Sequence, residues 1–353
     1  METGAGIVAG VDLGGTAINV TFLNEHEEFL IEELCEYSSR VGDGPEMCLR
    51  QIEAGLQFAG RRAGVGFPDV VAVGLDTPGP ASAMGVLSAR GSTNFTHPQW
   101  NGFDVRSGLE NRLGKPVAYL NDGNAAALWG HFAIFGARNN ATSISTIIGT
   151  GLGGGVIVDG NVLKGRHGFG GELGHVLIPW RKIPGVEELD PQCNCWRTGD
   201  LESLCSITAI QNSLLPLFLR KNPGHELARV PDARQASLRV RGLAENGDSM
   251  CRDIFRVQAQ ALGLFFDEMI NTFDPDVLIV GGGALETKQE FQRWFIDEVR
   301  AMMPIQREEQ MDIPIRVMPN GDTAGARGAA LEALRCLRGG PVSHRPYSEA
   351  CVR

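Results

Sequence analysis

The hydrophobic and polar positions of this chain fall into two successive sets of predicted strands and helices. Residues 6–34 hold three apolar runs, GIVAGVD, INVTFLN and EFLIEEL, spaced for an antiparallel meander. A helical period through MCLRQIEAGLQFAGRRA predicts a helix over 47–63, and VVAVGLD (70–76) is a buried strand. A loop rich in Pro, Gly, Asn and Thr runs from Thr77 to Gly102. It leads to a short glycine-ended helix (105–114) and a strand, PVAYLND (116–122). After the helix GNAAALWGHFAIFG (123–136), strands return in SISTIIG, GGVIV and the short NVLKG. Residues 165–200 predict no regular element, and helical patterns follow from Leu201 and around Met250–Thr272. DVLIVGGG (276–283) predicts a strand, FQRWFIDEVRAMM a helix, IPIRVMP a strand and 322–337 a helix of small residues. The polar segment 218–248 is expected to be a surface excursion, and 338–353 an exposed tail. The recurring order implies a duplicated fold with a cleft between the copies, where ligand sites usually lie.

Each set opens on a glycine-rich strand–turn–strand. The first turn is Asp12-Leu13-Gly14-Gly15-Thr16, and the second is Gly149-Thr150-Gly151-Leu152-Gly153-Gly154. Glycine frees the backbone and lets a ligand approach, and successive N–H groups in such a turn form an anion-binding concavity. Two of them in one chain suggest two jaws on one polyphosphate. Asp12 beside a phosphate cradle calls for a divalent cation between the two, and magnesium held mostly through its waters fits. The bland alternative is that Asp12 only stabilises its turn.

Asn121 and Asp122 stand where a strand stops and a helix begins. Both residue types are good helix N-caps. Asp122 is also placed to act as general base on an attacking hydroxyl, with Asn121 orienting it; phosphoryl transfer asks little more of the protein's acid–base groups. Asn94, in the polar loop, and Glu172 and His175, in the irregular GFGGELGHV, have the donor–acceptor character that a polyol needs. Glu202, at what looks like a helix start, could point to the same place. Cys193 and Cys195 follow an isolated His175 in a plausible zinc arrangement. GGGALE (281–286) and NGDTAGARGAA (320–330) could form a slot for an adenosine, or equally be tight helix–sheet packing.

Composition narrows the class. A chain of 353 residues should hold two domains, and its net charge of -10 argues against a general nucleic-acid binder. No apolar run approaches the about 18 residues needed to span a bilayer. The N-terminus METGAGIVAGVD lacks a basic region, so no signal peptide is expected. Eight cysteines without a regular framework read as reduced cytoplasmic thiols, with Cys35, Cys48, Cys205, Cys251 and Cys336 as core.

In order and spacing, DLGGT, STNF, LNDGNAAAL, GTGLGGG, GELGH, CNCWRTGDLE and GGGALE resemble the motifs of the ROK family of sugar kinases, within the hexokinase/actin/Hsp70-like superfamily. The likeness runs from Gly10 to about Leu337. It implies an α/β fold of two ribonuclease-H-like (actin/hexokinase-like) domains with a central cleft. The small domain would be 1–122, with the helix 322–337 packing back on it, and the large domain 123–321. It implies ATP-dependent, magnesium-assisted phosphorylation of a hexose at its terminal hydroxyl, with glucose the first candidate. Fructose, mannose, allose, N-acetylmannosamine and N-acetylglucosamine are substrates elsewhere in the family, and polyphosphate is an alternative donor. Asp122 matches the family's base. Asn94, Asn121, Glu172, His175 and Glu202 match its sugar ligands. Gly14, Gly15, Thr16, Gly149, Thr150, Gly151 and Gly153 match its phosphate turns, and Gly282 and Gly283 its adenosine region. His175, Cys193 and Cys195 match structural zinc ligands. The family's third zinc cysteine falls on Asp200 here, which makes Asp200 the expected fourth ligand with Cys205 the alternative, and its glycine after the second cysteine is Trp196. The resemblance also implies a cytoplasmic homodimer. The family includes repressors with an N-terminal helix-turn-helix, for which no room is expected ahead of the first strand.

Overall fold

The computed structural model describes residues 6–88, 94–136, 139–305 and 307–339. The first run of elements is β1 (Ile7–Leu13), β2 (Ala17–Leu23), β3 (Glu36–Ser38), α1 (Pro45–Ala63), β4 (Val70–Thr77), α2 (Val105–Leu113), β5 (Val117–Asn121) and α3 (Asp122–Phe135). The second is β6 (Ser143–Ile148), β7 (Leu152–Val158), β8 (Asn161–Val162), α4 (Ile207–Ala209), α5 (Leu215–Lys221), α6 (Ala233–Glu245), α7 (Ser249–Phe273), β9 (Val277–Gly281), α8 (Gln289–Arg300), β10 (Ile315–Val317) and α9 (Ala324–Leu337). Among the described residues the strands form two five-stranded sheets, ordered β3-β2-β1-β4-β5 and β10-β9-β6-β7-β8. In the first, β1 runs antiparallel to β2 and parallel to β4, which is parallel to β5. In the second, β10, β9 and β6 are parallel and β7 and β8 antiparallel. The repeated mixture of parallel and antiparallel strands is the duplicated α/β fold that the sequence predicts.

Chain contacts group the molecule into two units. The first takes the described residues up to Asn139, Gly155–Gly171 and those from Asn320 on; the second takes Asn140–Gly154 and Glu172–Pro319. The motif pattern places the start of the second half at 123. The structure instead carries the first unit through α3, because α3 and α9 pack on each other with small residues: a Cβ added at Gly328 would lie 1.8 Å from the Ala125 carbonyl oxygen. α9 lies equally close to the sheet. A Cβ at Gly10 on β1 would be 1.9 Å from the Ala326 oxygen, and one at Gly74 on β4 would be 1.8 Å from the Ala329 oxygen. These contacts show Ala326, Gly328 and Ala329 of NGDTAGARGAA packed against α3 and the sheet.

Three local expectations differ from the structure. The third strand of the first sheet is β3 at 36–38, not EFLIEEL. In that run Phe29 makes an isolated bridge to Leu23 of β2, and its ring packs edge-on against Trp129 and Phe132 of α3 at centroid distances of 5.4 and 6.3 Å. The helix expected from Leu201 begins at Ile207, where the Ser206 side chain caps it by accepting from Ala209 N. The polar stretch 218–248 contains α6, whose buried Ala236, Val240 and Ala244 recur every fourth residue and face α7. Most of the expected tail, 340–353, lies outside the described residues. Cys35, Cys48, Cys205 and Cys251 are buried and Cys336 half-buried, as expected of core thiols. Among the described residues no helix is long and apolar enough to cross a membrane.

Candidate active site

In the first unit, chemistry collects at the carboxyl ends of three adjacent parallel strands. β1 ends at Asp12-Leu13 and turns through Gly14, whose N–H donates to the Ala17 carbonyl at 2.9 Å; Gly15 and Thr16 are exposed. A Cβ at Gly15 would be 2.9 Å from Asn94 Oδ1, so the first glycine turn and the polar loop meet at Asn94. That loop is pinned by the next residue: Phe95 packs edge-on against Trp100 at 4.9 Å, and Trp100 Nε1 donates to the Val41 carbonyl at 2.9 Å. The strand register places Asp12 beside Asp76, and Thr77 beside Asn121. Asn121 is the N-cap of α3, its Oδ1 accepting from Asn124 N at 2.9 Å. Asp122, the first residue of α3, is exposed, and its Oδ1 accepts from Gly123 N at 2.8 Å. Capping and an orienting role are compatible, because the cap uses the amide oxygen of Asn121 and an amide also carries an NH2 donor.

Asp12 is half-buried and held from two further sides. Asn19 Nδ2 on β2 donates to its Oδ2 at 3.3 Å, and a Cβ at Gly325, in the first turn of α9, would come within 2.8 Å of its Cγ. Burial raises the Asp12 carboxyl above the ordinary range, opposed by hydrogen bonds to Asn19 and Asp76. Asp12, a carboxylate beside an exposed glycine turn, would hold a hydrated magnesium ion, which would supply positive charge near the turn.

The floor of this region is polar. Asn124 Nδ2 donates to the Gly170 carbonyl at 3.1 Å, tying α3 to the loop 163–171. Lys164, Asn121 and Asn124 line one small pocket together with Ser82 and Ala83. Ser82 and Ala83 also line a larger cavity of about 440 Å³ walled by Met84, Leu87, Arg166, His167 and Phe169.

In the second unit, the glycine turn closes with Gly149 N donating to the Gly151 carbonyl at 2.9 Å. The start of α4 holds it: Ile207 N donates to the Gly149 carbonyl at 2.9 Å, and Thr208 Oγ1 to that of Thr150 at 2.7 Å. Glu202 reaches the same turn, its Oε2 accepting from Leu152 N at 2.8 Å. A Cβ at Gly151 would lie 2.5 Å from that oxygen, so this glycine makes room for the carboxylate. Glu202 N donates to the Gly174 carbonyl at 2.9 Å, which brings Glu202 and His175 into one corner, and His175 N donates to the Glu172 carbonyl at the start of the same short turn. The hydrogen bond to Asp200 raises the His175 imidazole above its ordinary value. The Glu202 and Glu172 charges add to this against partial burial.

His175 Nδ1, Cys193 Sγ, Cys195 Sγ and an Asp200 oxygen all lie within 4.8 Å of one another. His175 Nδ1 is 3.2 Å from Asp200 Oδ2 and 3.6 Å from Cys193 Sγ, and Cys195 Sγ is 3.3 Å from Asp200 Oδ2. Ligands on a tetrahedral zinc ion stand about 3.3–3.8 Å apart for ordinary Zn–N, Zn–O and Zn–S lengths, so the donor set fits zinc. Asp200 is fully buried in this cluster, whereas Cys205 lies outside it. Trp196 holds a left-handed backbone, φ 70°, in the turn between these ligands, and its side chain is 91% exposed.

Of the two glycines at the end of β9, Gly282 has φ 91° and a Cβ there would be 2.5 Å from the Ile148 oxygen, so packing against β6 requires it. A Cβ at Gly283 would meet no atom nearer than 3.7 Å, so this glycine faces open space beside Arg241.

Asp76 is a site neighbour that the motifs do not single out. Its signal is the one that marks Asp12: an acid closing a buried apolar run, GVD in one strand and GLD in the other. Lys164 carries no such signal, since it belongs to a short edge segment.

The ROK family model matches residues 8–335. A glucokinase of Thermotoga maritima is 32% identical over 278 residues, covering 78% of this chain and 81% of that protein. A ROK family glucokinase from Streptomyces griseus, solved in complex with glucose and AMPPNP, superimposes with a TM-score of 0.71 at 26% identity, covering 93% of this chain and 99% of that one. A xylose repressor of Caldicellulosiruptor bescii is 24% identical over 303 residues, covering 84% of this chain and 70% of that protein. With its match running from the first strand into the last helix, this chain belongs to the ROK family.

Proposed function

We propose that this protein is an ATP-dependent hexose kinase that transfers the γ-phosphate to the 6-hydroxyl of a hexose, with glucose the first substrate to test. The observation that carries this reading is the strand-end array of the first unit: a glycine turn against Asn94, with Asp122 at the end of the same set of parallel strands. In this reading Asp122 takes the proton of the acceptor hydroxyl as it attacks, and Asn121 and Asn94 orient the sugar. Glu172, His175 and Glu202 supply the remaining hydroxyl contacts. Gly14, Gly15, Thr16, Gly149, Thr150, Gly151 and Gly153 hold the donor phosphates, and Gly282 and Gly283 receive the adenosine. Magnesium beside Asp12 would neutralise charge on the phosphates. Zinc on His175, Cys193, Cys195 and Asp200 would be structural, fixing the loop between Glu172 and Glu202. ATP as donor implies a cytoplasmic enzyme, and a homodimer is the expected assembly.

A sugar-sensing regulator is the second reading, favoured by the similarity to a xylose repressor; N-acetylmannosamine kinase and fructokinase are alternatives within the first. Turnover of Mg-ATP against a panel of hexoses and N-acetylhexosamines, run beside Asp122→Asn, separates them. Loss of a general base costs about 10²–10⁴-fold, so the variant should fall at least that far while still binding sugar. Sugar binding with no turnover on any acceptor would replace the kinase reading with the sensor.

A further inference from the structure

Within the second glycine turn, two carbonyls are tied down and two N–H groups are not. The carbonyls of Gly149 and Thr150 face the start of α4. Ile207 N donates to the Gly149 oxygen at 2.9 Å, and the Thr150 oxygen accepts twice from Thr208, from its N at 3.1 Å and from its Oγ1 at 2.7 Å. Both peptides that carry these carbonyls are trans. In a planar trans peptide the C=O and the N–H point in opposite directions. The N–H groups of Thr150 and Gly151 belong to the same two peptides, so they point away from α4. Among the described residues neither donates a hydrogen bond, while the next N–H along, that of Leu152, is taken by Glu202 Oε2. Thr150 is exposed and Gly151 half-buried, so these two N–H groups are the open, anion-facing part of the turn.

α4 is itself fixed from behind. Gln258, 0% exposed on α7, donates from Nε2 to the Ser206 carbonyl at 2.9 Å. Ser206 Oγ accepts from Ala209 N and donates to the Glu202 carbonyl, each at 2.9 Å. A buried amide is unfavourable unless bonded, and here its donor holds the residue just ahead of Ile207 and Thr208.

We propose that Ile207 and Thr208 are positioning residues for the phosphate donor: by taking the Gly149 and Thr150 carbonyls they aim the Thr150 and Gly151 N–H groups at its phosphates. Without those donors the two peptides can rotate, and the N–H groups lose their common direction. That ATP is the anion rests on the kinase reading above; the fixing of the turn does not.

The test reads the Kd of Mg-ATP by calorimetry, which needs no sugar, beside steady-state KM values. Thr208→Val keeps the side-chain shape and removes the hydroxyl donor, whereas Thr208→Ser keeps the donor. Ile207→Pro removes the N–H at the first helical position, where proline is tolerated. Ser206 before it already holds the extended backbone, φ -157° and ψ 166°, that proline asks of its neighbour. Thr208→Val and Ile207→Pro should each weaken Mg-ATP by about 3-fold or more, the scale of one neutral hydrogen bond, with the hexose KM unchanged. Thr208→Ser should stay within about 2-fold of wild type. Melting temperatures of all three variants separate these losses from unfolding. Valine and proline variants that bind Mg-ATP as wild type does, a serine variant as weak as the valine one, or a loss shared equally by the hexose KM overturns the proposal, as does a wild type without affinity for Mg-ATP. A wild type that binds Mg-ATP more tightly than these variants but phosphorylates no hexose overturns the kinase reading and leaves the positioning role standing.

Discussion

The Lys164–Glu332 pair offers the sharpest energetic test of how the first unit is built. Lys164 Nζ lies 2.6 Å from Glu332 Oε1, with the two side chains only 9% and 2% exposed. Glu332 also receives Arg335, at 2.8 Å on Oε2 and 3.0 Å on Oε1. Lys164 additionally donates to the Tyr119 carbonyl at 3.5 Å, two residues before Asn121, so the pair ties α9 to the strand that presents the candidate base. Glu332→Gln keeps the shape and removes the charge that faces the buried Lys164 ammonium. Breaking a buried pair from one side costs about 3–5 kcal/mol. At about 2–4 °C per kcal/mol for a unit of this size, the melting temperature should fall by roughly 6–20 °C.

The assay is urea unfolding of the wild type, Glu332→Gln, Lys164→Met and the double variant Lys164→Met/Glu332→Leu. Replacing both partners by apolar groups should cost less than the sum of the two single changes, the remainder reflecting the Arg335–Glu332 contacts that the double variant also removes. The pH dependence has a defined sign. Burial by itself raises the Glu332 carboxyl, but Lys164 and Arg335 outweigh it and hold the group below its ordinary value. A carboxyl lowered on folding contributes stability that is full above its unfolded pKa of about 4.3 and is lost as pH falls through the folded value. Glu332→Gln should therefore lose most at neutral pH and converge on wild type in acid. A single-variant cost under about 1 kcal/mol, or a double variant that costs the sum of the singles, would refute the argument that this pair is a buried and mutually dependent one.

Two other outcomes follow from the packing and the metal cluster. Gly74→Ala must push α9 away from β4, since its Cβ would fall 1.8 Å from the Ala329 oxygen; a loss of about 3 kcal/mol or more is expected in urea unfolding, and a neutral change would mean that the helix is not seated as described. Removing zinc with a chelator should raise the hexose KM by about 10-fold or more, because a protonated Cys193 donates to Glu202 Oε1 at 3.3 Å and holds that carboxylate away from sugar; metal analysis that finds no zinc in the purified protein would defeat this.

Much of the architecture is legible along the chain because strand and helix periods are local properties. β1, β2, β4, β5 and α1 fall where apolar repetition puts them, and both glycine turns announce themselves by having no Cβ between two apolar runs. Asn121, Asp122 and the His175–Cys193–Cys195 set are visible because they occupy element ends or irregular loops, where polar residues have no packing reason to be. The third strand is not where the apolar run puts it: that run keeps a single bridge from Phe29 to Leu23 of β2, while the Phe29 ring packs on Trp129 and Phe132, far away in sequence. α6 is hidden in a charged segment because its buried face is made largely of alanine, with a single valine.

Read along the chain alone, the residues specify local units: turns, strand ends, caps and the order of the motifs that identify the family. Only the tertiary structure decided which of those units share a neighbourhood. It put α9 on β1 and β4 through glycines that look ordinary in isolation, set Glu202 on the second glycine turn, and buried Asp76 against Asp12. The physical reason is that close approach and burial depend on residues far apart in the chain, so whether a carboxylate is solvated or paired is a property of the packed neighbourhood rather than of the residue.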